Sequence, residues 1–257
     1  MNHANNSLGF DRAAYIRLVK HLAWLLGSVL LLAGCNPVLY APNTLNAPMI
    51  TRKGEGNVAV HFGEEKTVSV EAAYSPFERI GVLVDVTRAR VPDNPSGAGG
   101  SMTIVEAGIG RYRPFKDRFF WDAYGIAAFG GIENHAPTSV TTAPGTTGTL
   151  DANFVRYGLQ PSLGWRSRFV DLAFSSRIVG LRYYDIQGRL VLDTRNVQDY
   201  LRSNRNQFLL EPALTARAGY KGLKVQAQLG HGFNVSERDF PQRNDFVSWG
   251  ILYNFGR

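Results

Sequence analysis

The chain has 257 residues, a formal net charge of +7 and a single cysteine. Its 28 basic residues are spread along the sequence without a one-sided cluster or a nucleic-acid-binding motif, so the charge does not indicate a nucleic-acid partner. One cysteine cannot form an intramolecular disulfide or a cysteine-based metal site, and no sequence motif indicates a cofactor.

The N-terminal segment has the anatomy of a secretory signal. Arg17 and Lys20 precede a mostly apolar stretch at 22–32, which is too short for a membrane helix of about 20 residues. The tetrapeptide that ends in Cys35, Leu-Ala-Gly-Cys, resembles the lipobox of bacterial lipoproteins. This resemblance implies that lipoprotein-processing machinery cleaves before Cys35 and acylates it. An ordinary signal peptide with a chance cysteine is the alternative.

The segment after the signal reads as a linker. Residues 36–56 contain three prolines and show no apolar periodicity. We therefore divide the chain into a signal peptide at 1–34, a lipid-anchored extended linker at 35–56 and a folded domain at 57–257. At about 3.1 Å per residue such a linker reaches about 65 Å, enough to run along the rim of the domain or to enter it.

From residue 57 onward, short stretches alternate apolar residues with polar or small ones and are divided by Gly, Pro, Asn and Asp. This period of two predicts β-strands. The ten predicted strands lie at 58–63, 68–74, 80–87, 102–113, 119–131, 155–166, 170–178, 208–217, 224–229 and 247–255. The facing of the fifth is ambiguous, so eight or twelve strands remain alternatives.

The connections distinguish between fold classes. Short links at 76–78, 114–118, 167–168 and 221–222 alternate with long ones at 88–101, 133–153, 185–207 and 234–245. Outer-membrane barrels have short periplasmic turns and longer extracellular loops. The predicted fold is therefore all-β: a closed, antiparallel, up-and-down transmembrane β-barrel. A soluble lipocalin-like barrel or sandwich, tethered to the membrane as a binding module, is the alternative.

The last predicted strand, with Trp249, Tyr253 and Phe255 on one face, resembles the C-terminal strand that outer-membrane barrels present to the barrel-assembly machinery, although the chain ends in Gly-Arg. The whole domain resembles the small outer-membrane β-barrel proteins of Gram-negative bacteria. That resemblance implies an outer-membrane location, with the lipid on Cys35 anchored at the periplasmic side. Outer-membrane lipid is the implied partner, and no sequence motif indicates a protein partner.

If the apolar strand faces point to lipid, the opposite faces line the interior. Charge belongs there, because Lys or Arg facing lipid at the midplane costs about 2–4 kcal/mol. The predicted interior charges are Glu71, Asp85, Glu106, Asp122, Arg156, Arg177, Glu211, Arg217 and Lys224. We expect them to form a cross-lumen network that fills the barrel, in a protein with a structural or surface-interaction role. A narrow pore for small solutes is the alternative.

Ten-stranded outer-membrane barrels also include surface proteases with carboxylate and histidine sites at the rim, so a rim-located hydrolase is the competing function. Its candidate site is His61 with Glu64 and Glu65, because a general base needs a partner within hydrogen-bond reach. We expect no enzymatic activity and no metal site.

The predicted loop at 185–207 carries four arginines among three aspartates, and the arginines suit the phosphates of lipopolysaccharide. A mixed-charge solvated loop is the alternative. Within it, 197–202 is predicted to form one helical turn, with Asn196 as its cap.

Overall fold

A computed structural model of the chain describes residues 38–93, 97–116, 118–136, 147–192 and 195–256. The predicted signal peptide and the acylation site at Cys35 lie outside the described residues. The strands, in chain order, are β1 Gly56–Gly63, β2 Val68–Phe77, β3 Ile80–Val91, β4 Gly99–Phe115, β5 Phe119–Ala136, β6 Thr147–Arg166, β7 Val170–Leu192, β8 Arg195–Asn196, β9 Asn206–Tyr220, β10 Leu223–His231, β11 Phe233–Asn234 and β12 Asp245–Phe255. A single helix, α1 Val197–Ser203, is found among the described residues.

Ten of these strands close into a barrel. Each pairs antiparallel with its neighbour along the chain, β7 pairs with β9, and β12 returns to pair with β1. The two-residue strands β8 and β11 lie outside the ring and extend the ladder beside β7 and β9. The predicted ten-stranded up-and-down barrel is therefore confirmed. In the part of the chain that the structure describes, no helix has both the length and the hydropathy needed to cross a membrane.

The barrel wall is apolar outside and polar inside. Large side chains such as Leu214, Val225 and Trp249 are about 60% exposed on the outer surface. Carboxylate, guanidinium and ammonium groups on the opposite strand faces are almost completely buried. This polarity is the reverse of that of a water-soluble barrel, and it fits a wall that faces hydrocarbon. The fold is that of an outer-membrane β-barrel.

Aromatic pairs mark the two edges of the outer apolar band. At the short-turn end, Tyr74 stacks on Phe255 with ring centroids 6.2 Å apart, and Phe169 stacks on Tyr220 at 5.9 Å. Towards the other end, Phe62 lies 5.1 Å from Trp249. Such rings suit the membrane interface, where one side of a side chain is dry and the other is wet.

The wall rises unevenly above the upper edge of this band. β1 and β10 have 8 and 9 residues, whereas β6 and β7 have 20 and 23. Much of the predicted loops at 133–153 and 185–207 is therefore strand, which corrects those predicted boundaries. The extra height comes from hairpin pairing that continues beyond the membrane.

The part of the wall above the apolar band has polar side chains outside and apolar side chains inside, the reverse of the band itself, and β6 shows this most clearly. Its inward side chains are Leu150, Ala152 and Phe154 in the upper part, followed by Arg156 and Gln160. Its outward side chains change from Asp151 and Asn153 to Val155, Tyr157 and Leu159. Above the membrane the outside meets water, so the apolar side chains turn inward and form a core with α1.

The predicted helical turn in the long loop is confirmed. The side chain of Asn196 accepts hydrogen bonds from the backbone amides of Gln198 and Asp199, which satisfies donors that the first helical turn leaves free. Val197 and Leu201 are buried and attach α1 to the upper core.

Candidate functional site

The lumen contains the N-terminal segment of the described chain. Residues 38–55, here called the strap, run through the barrel before β1 begins. Side chains from Leu39 to Ile50 are buried except for a partly exposed Ala41. Pro42 and Pro48 restrict the backbone to extended conformations. The structure thus resolves the open alternative for this linker: it enters the barrel.

The strap is held mainly through its backbone. Donors from the wall and one loop hydrogen-bond to the carbonyl oxygens of Val38, Leu39, Tyr40, Asn43, Leu45, Asn46, Ala47, Pro48 and Met49. The side-chain oxygen of Gln228 also accepts from the Leu45 amide at 2.8 Å, so one glutamine satisfies both backbone polar groups of Leu45. Enclosed carbonyls without such donors would carry a desolvation cost, and this grip removes it.

An ionic cluster surrounds the upper part of the strap. Glu106 on β4 receives Arg156 at 2.5 Å and Arg177 at 3.1 Å, so the pairs reach across the lumen from β4 to β6 and β7. Arg177 also contacts Glu211 on β9 at 2.7 Å. Two acids and two bases make the cluster neutral, which is what a buried charge group requires.

Tyr40 of the strap completes this cluster. Its hydroxyl donates to Glu211 at 2.6 Å and accepts from Arg156 at 2.5 Å. Three residues further on, the side-chain oxygen of Asn43 accepts from Arg156 at 2.9 Å. The strap therefore takes part in the charge network and does not merely pass beside it.

The other predicted interior charges have separate partners. Lys224 pairs with Asp171 at 2.7 Å, and Asp85 accepts from the strap residue Asn46 at 2.8 Å. Arg217 donates to the carbonyl of Ala47 at 2.6 Å. All nine predicted side chains are at most 1% exposed, but only four of them form the cross-lumen cluster: Glu106, Arg156, Arg177 and Glu211. Asp122 lies opposite Ser162 on the neighbouring strand.

The residues of the predicted rim site are not brought together. His61 points into the lumen, 1% exposed, and its ring lies 3.2 Å from Glu71 of the interior charge set. Glu64 and Glu65 instead pair with Arg243 of the last long loop. The geometry therefore gives His61 a carboxylate neighbour inside the lumen and places it apart from the Glu64–Glu65–Arg243 contacts.

Two other histidines contact carboxylates at the surface. His135 lies 3.1 Å from Asp93, and His231 lies 2.6 Å from Asp245. Both pairs are largely exposed, and His231 also packs on Phe233 with centroids 4.3 Å apart. These are solvated pairs on the upper wall, where water screens the interaction.

A basic vestibule opens at the short-turn end, where a cavity of about 950 Å³ is lined by the foot of the strap and by turn residues. Glu55 binds Arg166 there at 3.0 Å and accepts from the Thr51 amide at 2.8 Å. Burial alone would raise the pKa of Glu55, but the Arg166 charge and the Thr51 hydrogen bonds outweigh burial and hold this pKa below its ordinary value. The strap is thus fastened where it turns into β1.

Sequence reasoning missed the strap contacts of Tyr40, Asn43 and Asn46 and the two glutamines that bind the strap, Gln160 and Gln228. Both glutamines share the inward face with the predicted charges, so their strand phase was an available signal. For the strap, the only signal was an uncharged run from 38 to 51 that directly precedes a barrel with a charged interior.

No family model matches the chain, and no curated protein matches it. Among solved structures, the KdgM porin in complex with disordered oligogalacturonate matches with 8% identity and a TM-score of 0.32, over 77% of this chain and 98% of that chain. The KdgM porin alone matches with 8% identity and a TM-score of 0.33, over 77% of this chain and 98% of that chain. LpxR from Salmonella typhimurium matches with 7% identity and a TM-score of 0.36, over 78% of this chain and 99% of that chain. The assignment of the fold rests on the barrel's own closure, apolar exterior and charged interior.

Proposed function

We propose that this protein is a sealed outer-membrane barrel lipoprotein with a structural or surface-interaction role. Its lumen conducts no solute, its rim carries no catalytic site, and Cys35 bears the acyl groups. The observation that carries the proposal is the filled interior: the strap runs through the lumen, the wall charges around it are buried, and the central cluster of Glu106, Arg156, Arg177 and Glu211 binds the strap.

A narrow pore is the competing function, and the strap argues against it. A conducting lumen needs a continuous wet path with groups free to exchange partners with solute. Here the arginines that would line such a path are committed, with Arg177 bound to Glu106, Glu211 and the Asn43 carbonyl. The strap also ends in a network at Glu55, so it is anchored at its foot.

Planar-bilayer recording tests the sealed state. We expect purified full-length protein to give no stepwise conductance, because opening a path requires many buried hydrogen bonds to break together. A variant that lacks residues 39–50 should either conduct or fail to assemble, and heat-modifiable migration separates these results. Regular, ion-selective steps from the wild-type protein would overturn the proposal.

Acylation at Cys35 is tested separately. A barrel with an apolar outer wall is held by the membrane itself, so Cys35→Ala behind a replacement signal should still insert. We expect wild-type protein to incorporate radiolabelled fatty acid and the variant to incorporate none while fractionating with outer membranes. Release of the variant into the soluble periplasm would contradict the membrane-spanning barrel.

The surface-interaction part of the proposal concerns lipopolysaccharide. The arginines of the upper wall differ in the contacts that they make within the protein. Arg195 lies over the ring of Tyr200 at 4.7 Å, and Arg202 donates a hydrogen bond to the Ile186 carbonyl. Arg189 is exposed on β7. Arg189 is therefore the residue best placed to meet an outer-leaflet phosphate. Arg189→Gln should lower retention of the detergent-solubilised barrel on immobilised lipopolysaccharide. Unchanged retention would remove this partner.

A further inference from the structure

We infer that the chain enters the barrel from the long-loop mouth, so that the segment preceding Val38 is displayed on the side of the membrane that the long loops face. This inference rests on the proposed outer-membrane barrel. It also deepens that proposal, because it decides which leaflet receives an acyl group carried just upstream of Val38.

The beginning of the strap is attached to the long-loop end. Val38 accepts a hydrogen bond from Asn134, which is two residues before the upper end of β5. The Leu39 amide donates to the Pro241 carbonyl at 2.7 Å, and the Arg243 amide donates to the Tyr40 carbonyl at 2.9 Å. Both loop residues belong to the connection between β11 and β12, which is on the long-loop side.

The strap then descends in register with β6. Asn43 contacts Arg156, Asn46 contacts Gln160, and Met49 contacts Arg166, the last residue of β6 before a short turn. Since β6 itself runs from the long-loop end to the short-turn end, this ordered series fixes the strap's direction. The strap makes one pass from top to bottom.

The foot of the strap is attached to the short-turn end. The Gly54 amide donates to the Ser75 carbonyl, and the Ser75 amide donates to the Glu55 carbonyl, both at 2.9 Å. Ser75 lies near the end of β2 that precedes a short turn, and β1 begins immediately after Glu55. The ten strands are therefore preceded by an eleventh crossing inside the lumen.

The upper mouth is closed around the strap. Arg243 contacts Glu64 at 3.7 Å and also contacts Glu65, which joins the last long loop to the β1–β2 hairpin. Phe240 of the same loop is buried against Tyr183, with ring centroids 6.2 Å apart. The strap therefore lies inside a continuous ring of strands, beneath the last long loop.

The extra crossing reverses the expected position of the anchor. An even strand count alone would start the barrel on the periplasmic side and would place the lipid there. Cys35 is three residues before Val38, and three extended residues span at most about 11 Å. An acyl group on Cys35 would therefore start on the long-loop side of the membrane, where the outer leaflet is the one it can enter, and the protein would be a surface-anchored lipoprotein.

Three insertions of the same epitope and protease site test this topology in full-length protein. The first lies immediately before Val38, the second in the 137–146 connection, and the third between Lys221 and Gly222 of a short turn. We expect protease added to intact cells to cut the first two, and to cut the third only after the outer membrane is permeabilised. If the insertion before Val38 behaves like the short-turn insertion, the inference is overturned.

Heat-modifiable migration first shows that each variant has folded. Should an insertion disturb folding, Val38→Cys in a Cys35→Ala background provides a single thiol for a membrane-impermeant maleimide. Labelling on intact cells supports the inference, and labelling only after permeabilisation overturns it.

Fatty-acid incorporation separates this inference from the acylation proposal. An exposed site before Val38 without incorporated fatty acid would leave the topology intact and remove the acyl anchor. Incorporated fatty acid with a site cut only after permeabilisation would preserve the anchor and overturn the topology.

Discussion

The barrel interior differs between two levels. The lower lumen, within the apolar outer band, is lined by buried charges such as Glu106, Arg177 and Lys224. The upper core, enclosed by the tall strands β4–β7 and α1, is lined by apolar side chains such as Leu150 and Leu190. One set of strands therefore builds two interiors of opposite polarity.

The difference shows that the surroundings of the wall decide the polarity of its inner face. A strand has two faces, and the apolar face points outward to lipid wherever the wall crosses the membrane. Above the membrane the polar face points outward to water, and the apolar face lines an ordinary hydrophobic core. The strap passes through both levels and changes accordingly, from Leu39 in the upper core to Asn43 and Asn46 among the polar groups below.

The largest expected effect is in the lower lumen. Arg177→Ala leaves Glu106 and Glu211 buried with fewer partners and removes a donor to the Asn43 carbonyl. Breaking a buried ion pair by removing one partner costs about 3–5 kcal/mol. We expect the free energy of unfolding, measured by urea titration in lipid vesicles, to fall by about that amount.

Arg182→Ala is the matched control for that prediction, because Arg182 lies on the same strand but faces outward and is exposed. Its removal should change the free energy of unfolding by less than about 1 kcal/mol. Equal losses in the two variants would show that the lumen charges do not hold the barrel together.

A somewhat smaller effect is expected in the upper core. Leu150 is fully buried there, and Leu150→Ala removes apolar contacts without exposing a charge. Such truncations cost about 2–5 kcal/mol, and partial collapse of an open-ended core places this one near the lower limit. Limited proteolysis should show faster cutting of the upper wall while the membrane band stays protected. Asp151→Ala, on the outward face, is the control and should leave cutting rates unchanged.

The sequence predicted the membrane level of the molecule better than the upper level. Apolar residues at odd positions from Val155 onward match a lipid-facing wall, so the strand and its inward charges could be recognised. Between 149 and 154 the apolar residues occupy even positions, which breaks that phase and resembles a loop. Only the position of the water boundary explains the change, and that position depends on the assembled barrel.

The strap was not predictable for a different physical reason. Its grip uses backbone carbonyls, which every residue offers, so its sequence shows no periodicity. The donors that hold it, among them Gln160, Arg217 and Gln228, are far away in sequence and are recognisable as partners only after the barrel has closed.

Tyr40 joins the two levels, and its removal should have an intermediate effect. Tyr40→Phe keeps the ring against Phe154 but removes the hydroxyl that donates to Glu211 and accepts from Arg156. Leaving buried hydrogen-bonding groups unpaired costs about 1–3 kcal/mol. Vesicle unfolding should show that loss. If Tyr40→Phe and the wild type have the same free energy of unfolding, the strap occupies the lumen without contributing to the stability of the charge network.

The smallest effect is expected at the foot of the strap, where it depends on pH. Glu55 has a pKa below its ordinary value in the folded protein, so the unfolded chain binds a proton more readily. Its contribution to stability is complete above the ordinary glutamate pKa of about 4.3, and it is lost as the pH falls through the lower folded-state value. Wild-type and Glu55→Gln proteins should therefore differ in melting temperature at neutral pH, and the two melting temperatures should converge on acidification.

Because Glu55 meets Arg166 at the edge of an open vestibule, solvent screens the pair and the difference in melting temperature should be a few degrees at most. A constant difference at every pH would show that the loss of Glu55 acts through packing, and that its charge does not fasten the strap.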